Sequence, residues 1–388
     1  MKSDIVPRAR GSPRLSAPGA SHPRSPVRVL MTADCVGGVF GYALELARAL
    51  RPFQVHVGLA LMGPAPSLTQ RRTLAELENV ELFESRFKLE WMDEPWREVR
   101  EAGDWLLALE REFRPDVVHL NGYCHGALPF RAPVLIVGHS CVLSWWQAVK
   151  GEPAPERYAR YREEVRRGLA GADCVVAPSR AMLAVLQTNY RRLASARVIY
   201  NGRDPAQFAP GEKRNSVLFA GRIWDDAKNA RALIAAAAKL KAPVLVAGAT
   251  REWLRTVGNV RFLGALSQAD LAAHYAAAAI YCLPAKYEPF GLSALEAALS
   301  GCALVLGDIP SLREIWDDAA TFVSPDDEAM LAAALNELLN DARMRQACAA
   351  RARARALEYT PEPMAAAYFN VYRRLLAASE RGGYACAS

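Results

Sequence analysis

The stretch Tyr281–Trp316, YCLPAKYEPFGLSALEAALSGCALVLGDIPSLREIW, decides the fold. The apolar run Ala279–Leu283 is closed at once by Pro284, which suits a buried strand better than a helix. A loop from Ala285 to Phe290 leads through Gly291 into the helix-forming run SALEAALS, which stops at Gly301. Ala303–Leu306 is a second apolar strand. Strand, loop, helix and strand in that order form the unit from which parallel sheets are assembled.

Open parallel sheets present their ligand sites beyond the C-terminal ends of the strands. Glu288 falls in that position. Glu296 falls about one and a half turns into the helix, whose first free N–H groups, around Phe290, Gly291 and Leu292, can hold phosphate oxygens. Two carboxylates flanking an anion site suit a sugar joined to a phosphate, because carboxylates accept hydrogen bonds from hydroxyls while backbone amides take phosphoryl oxygens. The same spacing is compatible with two solvated surface glutamates.

Glu288-Pro289-Phe290-Gly291-Leu292, then Glu296-Ala297, then Gly301, closely resembles the signature of the retaining nucleotide-sugar glycosyltransferases called family 4. The resemblance implies that Glu288 contacts donor-sugar hydroxyls and that the amides of Phe290, Gly291 and Leu292 meet the diphosphate. It also implies that Glu296 holds the ribose.

Working outward, 388 residues with 52% hydrophobic composition suffice for two domains. Charges interrupt every apolar run before the roughly 18 residues needed to span a bilayer. Residues 1–26 read as a flexible leader, rich in Arg, Pro and Ser and lacking a secretory apolar core, so the expected location is cytoplasmic. Five basic residues against Asp4 in that leader supply more than half of the net charge of +7. The remaining basicity is compatible with an anionic nucleotide sugar or peripheral contact with acidic lipid at the inner membrane face, and no nucleic-acid motif accompanies it. The eight cysteines are scattered without metal-ligand spacing.

Residues 27–200 are expected to form an N-terminal Rossmann-like acceptor domain. VRVLMTAD is its first strand, and Gly37 and Gly38 in the following turn allow close backbone approach to a ligand or to a packed helix. The resemblance makes both wall residues of the cleft, Gly38 in reach of the diphosphate. Trp91, Trp96 and Trp105 read as packing residues, with Trp91 or Trp96 a candidate acceptor wall. DVVHL runs into Asn121 and Tyr123, which are plausible acceptor contacts, whereas His119 reads as structural. Pro133–Val137 delivers His139, either a structural hydrogen-bonding residue or, as the resemblance implies, one placed beneath the transferred sugar. Of the pair Trp145 and Trp146, one could stack on a sugar or planar acceptor and the other could belong to the core.

Residues 201–215 read as an interdomain linker, and 216–359 as a C-terminal donor domain of the same class. Arg203 stands where the family usually has a small apolar residue. SVLFAGR ends in Arg222, and Arg222 with Lys228 can converge on a diphosphate. Asp225, Asp226 and Ala227 depart from the family's usual path between them. Val260–Leu266 resembles the segment passing the nucleobase, and Asp308 and Glu314 lie where the far wall of the donor pocket is expected. Asp327–Glu358 and Glu362–Glu380 read as helices. The final segment, 360–388, is expected to cross back to the first domain.

The expected fold is therefore α/β of the GT-B type, two facing Rossmann-like parallel-sheet domains with a cleft between them. The expected activity moves a hexose from a UDP- or GDP-linked sugar to an acceptor hydroxyl with retention. Glu288 and His139 would sit at the reaction centre. No cofactor is expected, and no DxD-like metal triad is visible. The alternatives are a sugar-nucleotide epimerase, a phosphorolytic enzyme on the same fold, or an inactive sugar-nucleotide-binding protein. A dinucleotide dehydrogenase is disfavoured, since CVGGVFG is not GxGxxG.

Overall fold

The computed structural model describes residues 26–191, 193, 195–249 and 258–385. Apolar strands alternate with amphipathic helices along the whole chain. The first half runs β1 (Val27–Asp34), α1 (Gly38–Leu50), β2 (Val55–Met62), α2 (Leu68–Ala75), β3 (Val80–Glu84), α3 (Trp96–Phe113) and β4 (Val117–Leu120). It continues with β5 (Val134–Val137), α4 (Val142–Lys150), α5 (Ala159–Gly171), β6 (Cys174–Ala177), α6 (Arg180–Tyr190) and β7 (Ala196–Val198). The second half runs β8 (Arg214–Ala220), α7 (Ala230–Ala237), β9 (Val244–Ala247), β10 (Val260–Gly264), α8 (Gln268–Ala277), β11 (Ala278–Leu283) and α9 (Leu292–Leu299). It closes with β12 (Ala303–Gly307), α10 (Pro310–Trp316), β13 (Thr321–Val323), α11 (Glu328–Asn340), α12 (Ala342–Ala356) and α13 (Pro361–Ala385).

Strands buried on both faces read as continuous apolar runs, as all-parallel sheets require. Two such sheets form, in the orders β3-β2-β1-β4-β5-β6-β7 and β10-β9-β8-β11-β12-β13, and every pairing is parallel. The strand order reverses between β1 and β4 in the first sheet and between β8 and β11 in the second. A crevice opens at each reversal because the helices leaving the two central strands go to opposite faces, and ligands bind there in open α/β sheets.

Several expectations need adjusting. The second sheet begins at Arg214 rather than Ser216, because Arg214 already pairs with Ala278. The helix expected from Asp327 to Glu358 is two helices. Asp341 leaves the helical region and its carboxylate accepts from Met344 N, starting α12 afresh. Elements α2 and β3 lack a strong apolar signature: α2 is mostly exposed and β3 is an edge strand. The capping box Ser67-x-x-Gln70 is nevertheless visible in the sequence before α2. Residues 1–25 of the expected leader lie outside the described residues.

Helix α13 returns to the first domain, where Met364, Tyr368 and Tyr372 are buried with residues of α1, β1 and β2. The crossing needs a glycine at 202. A Cβ there would lie 2.2 Å from the Thr360 carbonyl oxygen. No helix among the described residues is long and apolar enough to cross a membrane.

Candidate active site

The second sheet's crevice is built by the loops after β8 and β11. Asn229, in a left-handed conformation, donates to the carbonyls of Pro284 and Pro325 at 2.9 and 2.7 Å, and Lys286 N donates to Ala227 O at 2.8 Å. These bonds stitch the two loops together. Lys228 Nζ and Glu288 Oε2 therefore meet at 2.5 Å, with side chains only 16% and 12% exposed. Glu288 Oε1 accepts the Gly291 N–H at 3.1 Å. The carboxylate thus bridges an ammonium and the N-terminal end of α9, two groups that favour negative charge. Gly291 has φ 95° and a Cβ would press on Leu312, so glycine is required. Phe290 is buried against the edge of Tyr359.

Arg222 continues this line of charge. Its Nη2 donates to Asp225 Oδ2 at 2.7 Å, while its Nε is buried and has no partner. Asp225 also accepts from Ala227 N and, across the interdomain gap, from Trp145 Nε1 at 3.0 Å. Burial works against this ionised carboxylate, but Arg222 and the Trp145 hydrogen bond hold it below the ordinary value. A Cβ on Gly37 would lie 2.8 Å from Arg222 Nη1, and one on Gly38 would lie 3.5 Å from Leu292 Cδ1. The glycine turn of the first domain therefore faces Arg222 and the start of α9.

Glu296 lies deeper. Its Oε1 accepts from Arg203 Nε at 2.8 Å, and its Oε2 lies 3.4 Å from the Tyr275 hydroxyl. Arg203 also donates to Gly41 O and faces Glu45 of α1 at 3.7 Å. The residue that departs from the family pattern is thus a buried bridge from linker to both domains. Burial raises the pKa of Glu45, with Arg203 and Arg48 opposing.

At the first sheet's crevice, Asn121 donates to Thr32 O at 2.7 Å, which turns its Oδ1 toward His139 Nε2 at 2.8 Å. His139 must then donate from Nε2, leaving Nδ1 unprotonated. Burial pushes its pKa down to about 3, so the ring is neutral. Tyr42 packs edge-on to it at 4.5 Å and contacts His119, whose Nδ1 lies 2.7 Å from Tyr372 of α13. Burial pushes the pKa of His119 down to about 3 as well, with His139 adding. Tyr123 is buried and its hydroxyl donates to Ser140 O at 2.7 Å.

These features surround an interdomain cavity of about 470 Å³, within the ~300–1,000 Å³ typical of ligand pockets. Gly37, Gly38, Asn121, Tyr123, His139, Trp145, Trp146 and Arg222 line it. Lys228, Glu288, Phe290, Gly291, Leu292 and Glu296 are outside its lining and form the adjoining charged wall.

A family model for group 1 glycosyl transferases matches residues 202–355, and one for Glycosyltransferase Family 4 matches 36–207. The chain belongs to the group 1, family 4 glycosyltransferases. It is 32% identical over 281 residues to a glycogen synthase of Mycobacterium tuberculosis, covering 64% of this chain and 66% of that one. The match therefore spans slightly less than two thirds of that relative. Sucrose-phosphate synthase from Thermosynechococcus elongatus shares the GT-B fold, with TM-score 0.74, 20% identity and coverage of 91% and 100% of the two chains. Anabaena HepE in complex with UDP-glucose is similar, with TM-score 0.69, 18% identity and 90% and 99% coverage.

Among residues outside the expected site, Asp34, Lys88, Glu90 and Trp224 of this glycosyltransferase also line the cavity. Glu90 accepts from Tyr123 N and Cys124 N, tying the loop before α3 to the strand end of β4. Nothing in the local sequence around Glu90 signals this. Of the early tryptophans, Trp91 lines the cavity, Trp96 packs under Arg160 and Trp105 packs on Phe87. Glu314 receives the first N–H groups of α6 and the Tyr200 hydroxyl, while Asp308 pairs with Arg313. Both are engaged in bonds that hold elements together.

Proposed function

We propose that this chain transfers a hexose from a UDP- or GDP-linked sugar to an acceptor hydroxyl, with retention at the anomeric carbon. The observation that carries the reading is the run of anion-favouring groups along one crevice wall: Arg222 with its unpartnered buried Nε, Lys228, and the amide end of α9. A diphosphate would complete these donors, drawing Arg222 and Lys228 from their present carboxylate partners. Phe290, Gly291 and Leu292 would offer backbone amides, Gly38 would close the far side, and Glu296 would take the ribose hydroxyls. No metal ion is required in this reading, since two side-chain cations and the helix end meet the charge. The domains would follow the boundaries given above, except that β8 takes Arg214 and Asn215, leaving residues 201–213 as the hinge.

In the reaction the bond between the anomeric carbon and the diphosphate oxygen breaks, and the acceptor oxygen bonds to the same face of that carbon. The acceptor proton passes to the leaving phosphate oxygen. Glu288, freed on one side as Lys228 turns to the phosphate, orients the sugar hydroxyls. His139, neutral and fixed by Asn121, offers a rigid polar floor. Thermal shift with UDP, GDP and their sugars, followed by mass analysis of products formed with cell extract, tests the reading. A nucleotide-diphosphate response with a hexose added to an acceptor is expected; consumption of the donor without any acceptor would favour an epimerase instead.

A further inference from the structure

The walls of the 470 Å³ cavity differ from its donor edge. Trp91, Trp145, Trp146, Trp224, Tyr158 and Met62 all face it. Trp145 and Trp146 lie 5.7 Å apart, and Trp146 lies 5.5 Å from Tyr158, so the aromatic surface is continuous from α4 to the turn before α5. Trp145 is held from across the cleft by Asp225, one of the residues that departs from the family's path. Such rings offer flat apolar area to a ligand face at little entropic cost.

The charge around that surface is acidic. Asp34, Glu90, Asp225 and Asp226 line the cavity against two cations, Lys88 and Arg222. Each cation already faces a carboxylate: Lys88 lies 3.7 Å from Glu98, and Arg222 lies 2.7 Å from Asp225. Arg222 is further claimed by the donor diphosphate in the reading above. Asp226 is paired with Lys150 at 2.7 Å. Arg157, outside the lining, lies over the Trp146 and Tyr158 rings. Within the lining itself, a phosphate on the acceptor would meet four carboxylates and two cations that already face carboxylates.

We propose that the acceptor of this cavity is an uncharged, hydroxylated molecule with a flat apolar face, of which an aryl glycoside is the simplest example, and that phosphorylated acceptors are disfavoured. The inference rests on the cleft being a transfer site. It identifies Trp91 and Trp145 as the surfaces on which the acceptor stacks, and Asp226, which holds the Lys150 ammonium away from an incoming phosphate, as one source of the discrimination against anions.

Calorimetric titration of the full chain, with the nucleotide diphosphate present, compares glucose with glucose 6-phosphate, myo-inositol with myo-inositol 1-phosphate, and glucose with phenyl β-D-glucoside. The aryl glycoside should bind about tenfold more tightly than glucose, as expected for one added stacking contact. Each phosphorylated compound should bind at least about threefold more weakly than its neutral twin. Trp91→Ala, at an exposed position, should remove most of the aryl gain, and Asp226→Asn should narrow the phosphate discrimination. Equal or tighter binding of the phosphorylated twins, no gain from the phenyl group, or no response to any neutral compound would each overturn the proposal. UDP and GDP titrated alone separate the two readings. No nucleotide response removes the transfer reading itself, whereas a nucleotide response with phosphorylated sugars preferred removes only the acceptor inference.

Discussion

At the reversal of the second sheet, Lys228, Glu288 and Gly291 come from the loops after two neighbouring strands, β8 and β11, and meet through charge and backbone N–H groups. At the reversal of the first sheet, Thr32, Asn121 and His139 come from three strand ends and meet through neutral hydrogen bonds, behind a wall of aromatic rings. The first wall suits a ligand whose charge is fixed. The second suits one recognised by shape and a few hydroxyls. The comparison teaches that one fold, used twice in the same chain, supplies only the crevice. The residues at the strand ends decide what each crevice can hold.

The charged wall offers the strongest way to break this contrast. Glu288→Ala should cut transfer by about a hundredfold or more, the scale of losing an electrostatic contact to the reacting group, with the circular dichroism spectrum unchanged. Full activity in the purified variant would show that the charged wall is not where the sugar sits. Arg203→Met tests whether the two crevices are mechanically joined. It leaves Glu45 and Glu296 facing each other's domain without their shared guanidinium, and removing one partner of a buried ion pair costs about 3–5 kcal/mol. Chemical denaturation should show that loss; a change below about 1 kcal/mol would mean that the bridge does not hold the linker.

Lys228→Ala should weaken nucleotide-diphosphate binding by about tenfold to a hundredfold in calorimetry, as expected for one charge-assisted hydrogen bond. Unchanged affinity would move the diphosphate off this wall. The smallest effect concerns the neutral wall. His119 is fully buried with its pKa pushed down to about 3, against an ordinary 6.5. Below pH 6.5 the unfolded chain binds a proton that the folded one refuses, so stability is complete above 6.5 and falls as the pH drops toward 3. The slope is at most about 1.4 kcal/mol per pH unit for each such histidine. Denaturant melts at pH 7, 6 and 5 should show that decline, and His119→Gln should reduce it by about half, His139 supplying the rest. A variant with the same slope as the parent would place the titration elsewhere.

The residues of the charged wall were legible because the turn and strand signals around them are local, although the Lys228–Glu288 contact itself joins residues 60 positions apart. Pro284 and Gly291 punctuate a single strand-loop-helix unit, and a reader can place Glu288 between them without knowing any other part of the chain. Arg222 and Lys228 likewise bracket one turn. Arg203 was visible only as an irregularity. Its partners, Glu45 and Glu296, lie far from it in sequence in opposite directions, and no spacing rule connects them. Glu90 gave no signal at all, since its hydrogen bonds go to backbone N–H groups that carry no side-chain code.

By itself the sequence determined two parallel sheets, most of their elements apart from α2 and β3, and the charged residues at one crevice, because apolar periodicity and turn residues act over a few positions. Tertiary structure alone decided that Asp225 reaches Trp145 across the gap, that Tyr372 of the last helix touches His119, and that aromatic rings and carboxylates line the interdomain cavity together. Those contacts join residues that share a place only after both sheets have formed and the last helix has crossed back. Their energy depends on that assembly rather than on any local preference of the chain.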